Sequence, residues 1–234
     1  MSIAGGPDIV ENGLVLHLDA ADQNSYTGSG TLWTDLSGNG NNGTLTNGPT
    51  FNSSNRGSVV FDGTDDYIIC GSGSVYNLGN NFTLNSWVYP TEVGDSWGDE
   101  IFSLATRATV PYIAYGLEWM DTYKFSASIG NTSNQVVGCA TNNTFSINQW
   151  YNVVETYDGS SIKIYVNGIL ENSTASVSTV LYGTNILTIG IWYYNITFRN
   201  ALKGRISNIG LYNRALSASE IAQNYNATKG RYGL

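Results

Sequence analysis

Apolar and polar residues alternate with period two along nearly the whole chain, and Gly, Asn and Asp clusters break the alternation about every 8–12 residues. "LVLHL" (14–18), "SVVFD" (58–62), "DYIIC" (66–70), "FTLNSWVYP" (82–90), "EIFSLAT" (100–106) and "YIAYGLEW" (112–119) read as half-buried strands. "YKFSASIG", "QWYNVVETY", "SIKIYVNG", "ILENST", "NILTIG" and "GRISNIGLYN" continue the series. Short strands at that spacing predict an all-β fold: a two-sheet antiparallel jelly-roll sandwich of about 13 strands. A chain of 234 residues can form it as one domain, 1–234.

Two local features sharpen this picture. Asn167-Gly168 separates two alternating runs, and Asn-Gly tolerates the positive φ of a two-residue hairpin turn. In that hairpin Ile162, Ile164 and Val166 share one side, and Lys163 and Tyr165 the other. One short helix is expected at 217–226, where Ser217 and Glu220 form a capping box. Leu216 and Ile221 can staple its start, and Ile221 and Tyr225 share a face. "SGNGNNGTLTNG" (37–48) reads as a long polar loop with too few apolar residues for a strand.

Charge excludes some functions. The net charge is −8 and charged residues make up 12 % of the chain. An acidic, Lys-poor chain is a poor nucleic-acid binder. The charge is uneven, −12 over residues 1–123 and +4 over 124–234, although interleaved strands would mix the two. No stretch approaches the roughly 20 apolar residues of a membrane span. The N-terminus lacks the basic and apolar regions of a secretory signal, so synthesis in a cytoplasm is expected. The eight N-x-S/T triplets, among them Asn81, Asn172 and Asn195, are accordingly not read as glycosylated. Cys70 and Cys139 each close or interrupt an apolar run; buried free thiols are expected, with one bridge as the alternative.

Several pieces, in order, resemble the laminin-G-like, concanavalin A-like jelly-roll family: "GLVLHLDAADQNSY…LWTDLSGNGNNGTL", "VVFDGTDDYI" as a second hairpin, "FTLNSWVYP" with its central Trp, "QWYNVVETYDGSSIKIYVNG", and "FRNALKGRISNIGLYNRALSASEIAQNYNATKGRY" as closing strand and helix. The resemblance spans about residues 13–231 and implies the sandwich fold; its hosts range from lectins and glycanases to virion proteins. The opening and the ending "NATKGRYGL" are also similar to laminin-G-like proteins of tailed bacteriophages, cyanophages especially.

Three stretches carry candidate chemistry. In "FDGTDDYI", Asp62, Asp65 and Asp66 read first as a turn, with Gly63 permissive and Asp side chains capping amides. The second reading is a Ca²⁺ site, since Ca²⁺ takes six to eight hard oxygens and the resembled family implies Ca²⁺ at the sandwich rim. "EVGDSWGDE" surrounds Trp97 with Glu92, Asp95, Asp99 and Glu100, either a solvated loop or an aromatic beside a cation site. "IWYYNITF" sets Trp192, Tyr193 and Tyr194 beside a polar loop, as core plus one exposed ring, or as a glycan- or partner-binding surface.

No catalytic residues are expected. Retaining glycosidases of the resembled fold carry E-x-D-x-x-E on one strand, and the nearest stretch here is "LEWMD". Glu118 and Asp121 lie three apart and face opposite sides of a strand, not the roughly 5–5.5 Å of a retaining pair. The one histidine, His17, sits inside the first strand as an ordinary packed residue. With no catalytic set, the resemblance to phage proteins implies a non-enzymatic bacteriophage virion structural protein, a capsid decoration or tail or fibre accessory. Its partners would be other virion proteins, with host surface glycans and a homo-oligomer as further contacts. The alternative is a free-standing carbohydrate-binding lectin module.

Overall fold

The alternating pattern is realised as 18 strands among the described residues of the computed structural model, which are 8–106, 112–176, 178–183, 185–194 and 197–234. In chain order they are β1 (Leu14–Asp19), β2 (Leu32–Trp33), β3 (Gly43–Thr46), β4 (Thr50–Asn52), β5 (Ser58–Asp62), β6 (Tyr67–Ser72), β7 (Phe82–Pro90), β8 (Asp99–Thr106) and β9 (Ile113–Trp119). Then follow β10 (Phe125–Gly130), β11 (Val136–Ala140), β12 (Tyr151–Tyr157), β13 (Ser161–Val166), β14 (Ile169–Ala175), β15 (Asn185–Ile189), β16 (Trp192–Tyr194), β17 (Thr197–Arg199) and β18 (Lys203–Tyr212). Several of the extra strands are two or three residues long, too short for a period-two pattern to mark.

The strands form two antiparallel sheets. One runs β14-β13-β12-β7-β18-β5-β4, with β1 also paired to β18; the other runs β11-β10-β9-β8-β15-β6-β3-β2. β16 and β17 make a separate hairpin. Alternate side chains of both sheets face inward, so Leu18, Val88, Ile164 and Ile209 from the first meet Leu104, Leu117, Ala127 and Leu187 from the second. Both cysteines are buried free thiols, and burial raises each above its ordinary value.

The helix α1 (Ala218–Thr228) begins where the capping box predicts. Ser217 accepts from the Glu220 amide, and the Glu220 carboxylate accepts from the Ser217 amide at 2.8 Å. It docks on the outer face of the first sheet, where Ile221 and Leu216 pack on Tyr165, Val154 and Tyr212. Tyr165, opposite Ile164 and Val166 on its strand, thus meets the helix as the alternation requires. The central Trp87 also faces outward, stacked on Tyr232 at 4.0 Å and donating to Thr228 Oγ1 at 2.8 Å.

Two expectations are corrected. The segment 37–48 is not all loop: Gly43–Thr46 is a strand paired to β6 and β2, and Leu45 is core. "VVFDGTDDYI" is not a hairpin either, because β5 pairs β18 and β4 while β6 pairs β3 and β15. The Asp62–Asp66 turn is instead a corner that carries the chain from one sheet to the other.

Candidate functional site

That corner lies at one end of the sandwich. Gly63 there has φ +80, a left-handed conformation that favours glycine, and an added Cβ would meet the Lys203 stem at 2.7 Å. Asp62 accepts from Thr64 N–H at 2.7 Å, and Asp66 accepts from Asp62 N–H at 3.0 Å. This is the expected turn chemistry. The same geometry brings one carboxylate oxygen from each of Asp62, Asp65 and Asp66 within 4.8 Å of the others. Asp62 and Asp65 are exposed and Asp66 is buried. Burial, with the Asp62 and Asp65 charges adding to it, raises Asp66 above the usual carboxylate range. Three hard carboxylate oxygens are of the type Ca²⁺ takes, three of the six to eight it needs.

The second acidic stretch arrives at the same place. Asp62 is the cross-strand partner of Lys203, and the loop between β7 and β8 folds beside them. Together they enclose an open cavity of about 460 Å³ lined by Asp62, Glu92, Asp95, Asp99, Asn200 and Lys203, among others. Lys203 Nζ pairs with Glu92 at 2.5 Å. Asp95 organises the loop: it accepts from Trp97 N–H at 2.7 Å and from Asn200 Nδ2 at 3.3 Å. Asp99 is pushed up to about 6, first by burial and then by the charges of Asp95 and Glu92. Trp97 stands out from this loop 80 % exposed. The sequence places these two stretches 30 residues apart as unrelated turns; β18 is what unites them.

The aromatic stretch lies beside this end too. Trp192 and Tyr193 sit half-buried on β16, whose hairpin packs on β8, and β17 leads directly to Asn200 at the cavity wall. The Tyr194 side chain, like Asn195, falls outside the described residues. His17 is packed as expected, its Nε2 3.0 Å from Asn208 Nδ2, and burial lowers it below its ordinary value.

Carboxyl pairing does occur, in a form the sequence hides. Glu100 on β8 is the cross-strand partner of Glu118 on β9. Glu118 accepts from Ser128 Oγ at 2.6 Å, and Glu100 Oε1 settles over Gly116, where a Cβ would meet it at 2.7 Å. Burial raises both: Glu118 to about 7, and Glu100 well above the usual range, with the Glu118 charge adding to it. Glu100 is only 3 % exposed, and Glu118 is half-buried. A third acid, Glu155 on β12, points into the core with Val153 and Tyr157; it is fully buried and neither carboxyl oxygen has a hydrogen-bond partner.

The sequence profile of the concanavalin A-like lectin/glucanases superfamily matches residues 62–222, from the acidic corner to the helix. The chain belongs to this superfamily. The solved structures similar to this member bear out the fold. Domain 4 of the extracellular arabinanase AbnA from Geobacillus stearothermophilus, in complex with arabinotriose, is 19 % identical with a TM-score of 0.69, over 92 % of this chain and all of that one. The ligand-binding domain of botulinum neurotoxin serotype D, in complex with N-acetylneuraminic acid, is 16 % identical with a TM-score of 0.69, over 92 % of this chain and 51 % of that one. Trypanosoma rangeli sialidase is 17 % identical with a TM-score of 0.66, over 94 % of this chain and 34 % of that one. The fold is therefore shared with binding domains and with parts of enzymes. No curated protein matches the sequence. Among the described residues no helix is long and apolar enough to cross a membrane.

Proposed function

We propose that this chain is a non-enzymatic glycan-recognition module that uses the acidic cavity and Trp97. The observation that carries the reading is an indole 80 % exposed on the same loop that supplies Glu92, Asp95 and Asp99 to the wall of a largely polar cavity. A ring left in water beside donors and acceptors can stack on the apolar face of a sugar while Asn200, Lys203 and the carboxylates bond its hydroxyls. Trp192 and Tyr193 extend the same end. Ca²⁺ held by Asp62, Asp65 and Asp66 would relieve their mutual repulsion and offer sugar hydroxyls a cation. Six carboxylates against Lys203 repel an anionic sugar, so the reading specifies neutral glycans when Ca²⁺ is absent. Glycan-array binding that is lost in Trp97→Ala, with no reducing sugar released, is the expected result. Array binding unchanged by Trp97→Ala would refute the site, and sugar release abolished by Glu118→Gln would refute the absence of catalysis.

The setting proposed for this module is a bacteriophage virion, as a capsid decoration or tail or fibre accessory among other virion proteins, with a homo-oligomer as its assembled form. What supports it is the likeness of the opening and of "NATKGRYGL" to phage laminin-G-like proteins, and a chain rich in Asn, Ser, Thr and Tyr with few Lys. Capsid, portal or tail genes beside its own, and the chain itself in purified particles, are the expected findings. A polysaccharide-utilisation cluster in their place would favour the free-standing lectin.

A further inference from the structure

We infer a second, chemically different binding site at the opposite end of the sandwich, one that takes a neutral hydroxyl-rich ring such as an uncharged monosaccharide unit. β18 carries the argument. Lys203, at its start, lines the acidic cavity; Asn213, just past its end, lines another open cavity of about 510 Å³. Ten residues of strand separate the two by about 30 Å.

The lining of this second cavity contains no charged side chain. It consists of the carboxamides of Asn39, Asn77 and Asn213, the backbone from Gly13 to Val15, and the aliphatic side chains of Val75 and Leu78. The Asn213 carboxamide can donate and accept, as sugar hydroxyls do, and Asn39, whose Nδ2 is engaged within the chain, offers its oxygen. Val75 is 46 % exposed on the wall and gives an apolar surface for ring C–H groups. A volume of this size lies within the ordinary range for small-ligand sites. With no cation among the lining groups, nothing there compensates a carboxylate or a phosphate, and with no anion nothing compensates an amine.

The polar groups are also held in place. Asn39 Nδ2 donates to Ser37 Oγ at 3.0 Å and to the carbonyls of Leu14 and Val15, both at 3.2 Å. Gly13 has φ +84, and its carbonyl accepts from the Asn213 amide at 2.9 Å. An added Cβ at position 13 would lie 2.9 Å from Asn213 Oδ1, so the glycine lets that carboxamide sit against the backbone. Arg214, whose stem packs against Gly13, has its guanidinium engaged by Glu220 and by the Asn12 carbonyl. The site goes beyond the acidic-cavity reading and does not depend on it. With both in place one chain could bridge two glycans, and linkage of that kind raises apparent affinity without new contacts.

Side-chain amide signals of Asn39 and Asn213 in ¹⁵N-labelled protein test this directly. D-glucose, D-galactose, D-mannose and N-acetyl-D-glucosamine are each titrated to about 50 mM, with N-acetylneuraminic acid as the anionic control. At least one neutral sugar is expected to shift these signals with a Kd of about 1–10 mM. Val75→Glu and Asn213→Ala, both exposed positions, are expected to weaken that binding about tenfold or more, while Trp97→Ala leaves it unchanged. The inference is overturned if none of the four sugars shifts the signals, or if N-acetylneuraminic acid shifts them equally. Loss in Trp97→Ala, or full retention in both Val75→Glu and Asn213→Ala, overturns it as well.

Discussion

Glu155 gives this protein a stability that should fall as pH rises. Its carboxyl is fully buried, lies in the core between Val153 and Tyr157, and has no partner for either oxygen. Burial holds it well above the usual glutamate range, with the charges of Glu118 and Glu100 adding to the effect. Holding one carboxyl protonated at pH 7, against an unfolded value of about 4.3, costs up to about 4 kcal/mol. The sign follows from the raised folded-state value: the unfolded chain releases the proton first, so stability is highest near the unfolded value and declines above it. Glu118, raised to about 7, adds to the same slope up to neutral pH. At the acid end the sign reverses, because the Arg214 ion pair holds Glu220 down at about 2 and that contribution fades as pH falls from about 4. The expected optimum therefore lies near pH 4–5. Glu155→Gln keeps the shape and removes the ionisation. In urea titrations it should match the wild type near pH 4.5 and exceed it by several kcal/mol at pH 8, or of order 10 °C in Tm for a chain of this size. A wild-type stability flat from pH 5 to 8, or a Glu155→Gln variant weaker than wild type at pH 8, would refute the reasoning.

Three further outcomes are expected. Ca²⁺ added after chelation should raise Tm, by about 2.7 kcal/mol of stabilisation at a hundredfold excess over Kd, and Asp65→Asn should abolish the gain; an unchanged melt leaves only a turn at that corner. Ser217→Ala removes the helix N-cap and should cost about 1–2 kcal/mol in chemical denaturation, with glycan binding unaffected. Gly94→Ala would drive a Cβ into the Trp119 carbonyl and should destabilise by more than about 2 kcal/mol, a shift that differential scanning calorimetry resolves.

Local signals carried the fold further than the site. Asn167-Gly168, Ser217 with Glu220, and the Tyr151–Tyr157 alternation each act within a few residues, and each element formed where those residues specify it. β3 escaped because Leu45 is its one large apolar residue, and the strand exists through its neighbours β6 and β2. The acidic corner was legible as a turn, but nothing within "FDGTDDYI" says whether the strands on either side share a sheet. Asp62 meets Lys203 across 141 residues, a pairing that only the assembled sheet decides. Glu100 opposes Glu118 through a register that shifts between Glu100 and Phe102, so a one-strand search for paired acids passes over it. Trp97 was legible as a candidate, whereas its exposure depends on how Asp95 and Asn200 brace the loop.

β18 has a consequence for how the chain acquires its structure. It is the last strand among the described residues, yet it sits in the middle of its sheet, paired with β7 along one side and with β5 and then β1 along the other. A nascent chain lacking residues beyond about 203 would hold β7 with one open edge and β1 and β5 with no central partner. Such non-local pairings form slowly, and open edges invite pairing with other chains. The chain must therefore be made as far as Tyr212 before β1 can find its place, and the interval before β18 emerges is when this fold is most exposed to aggregation.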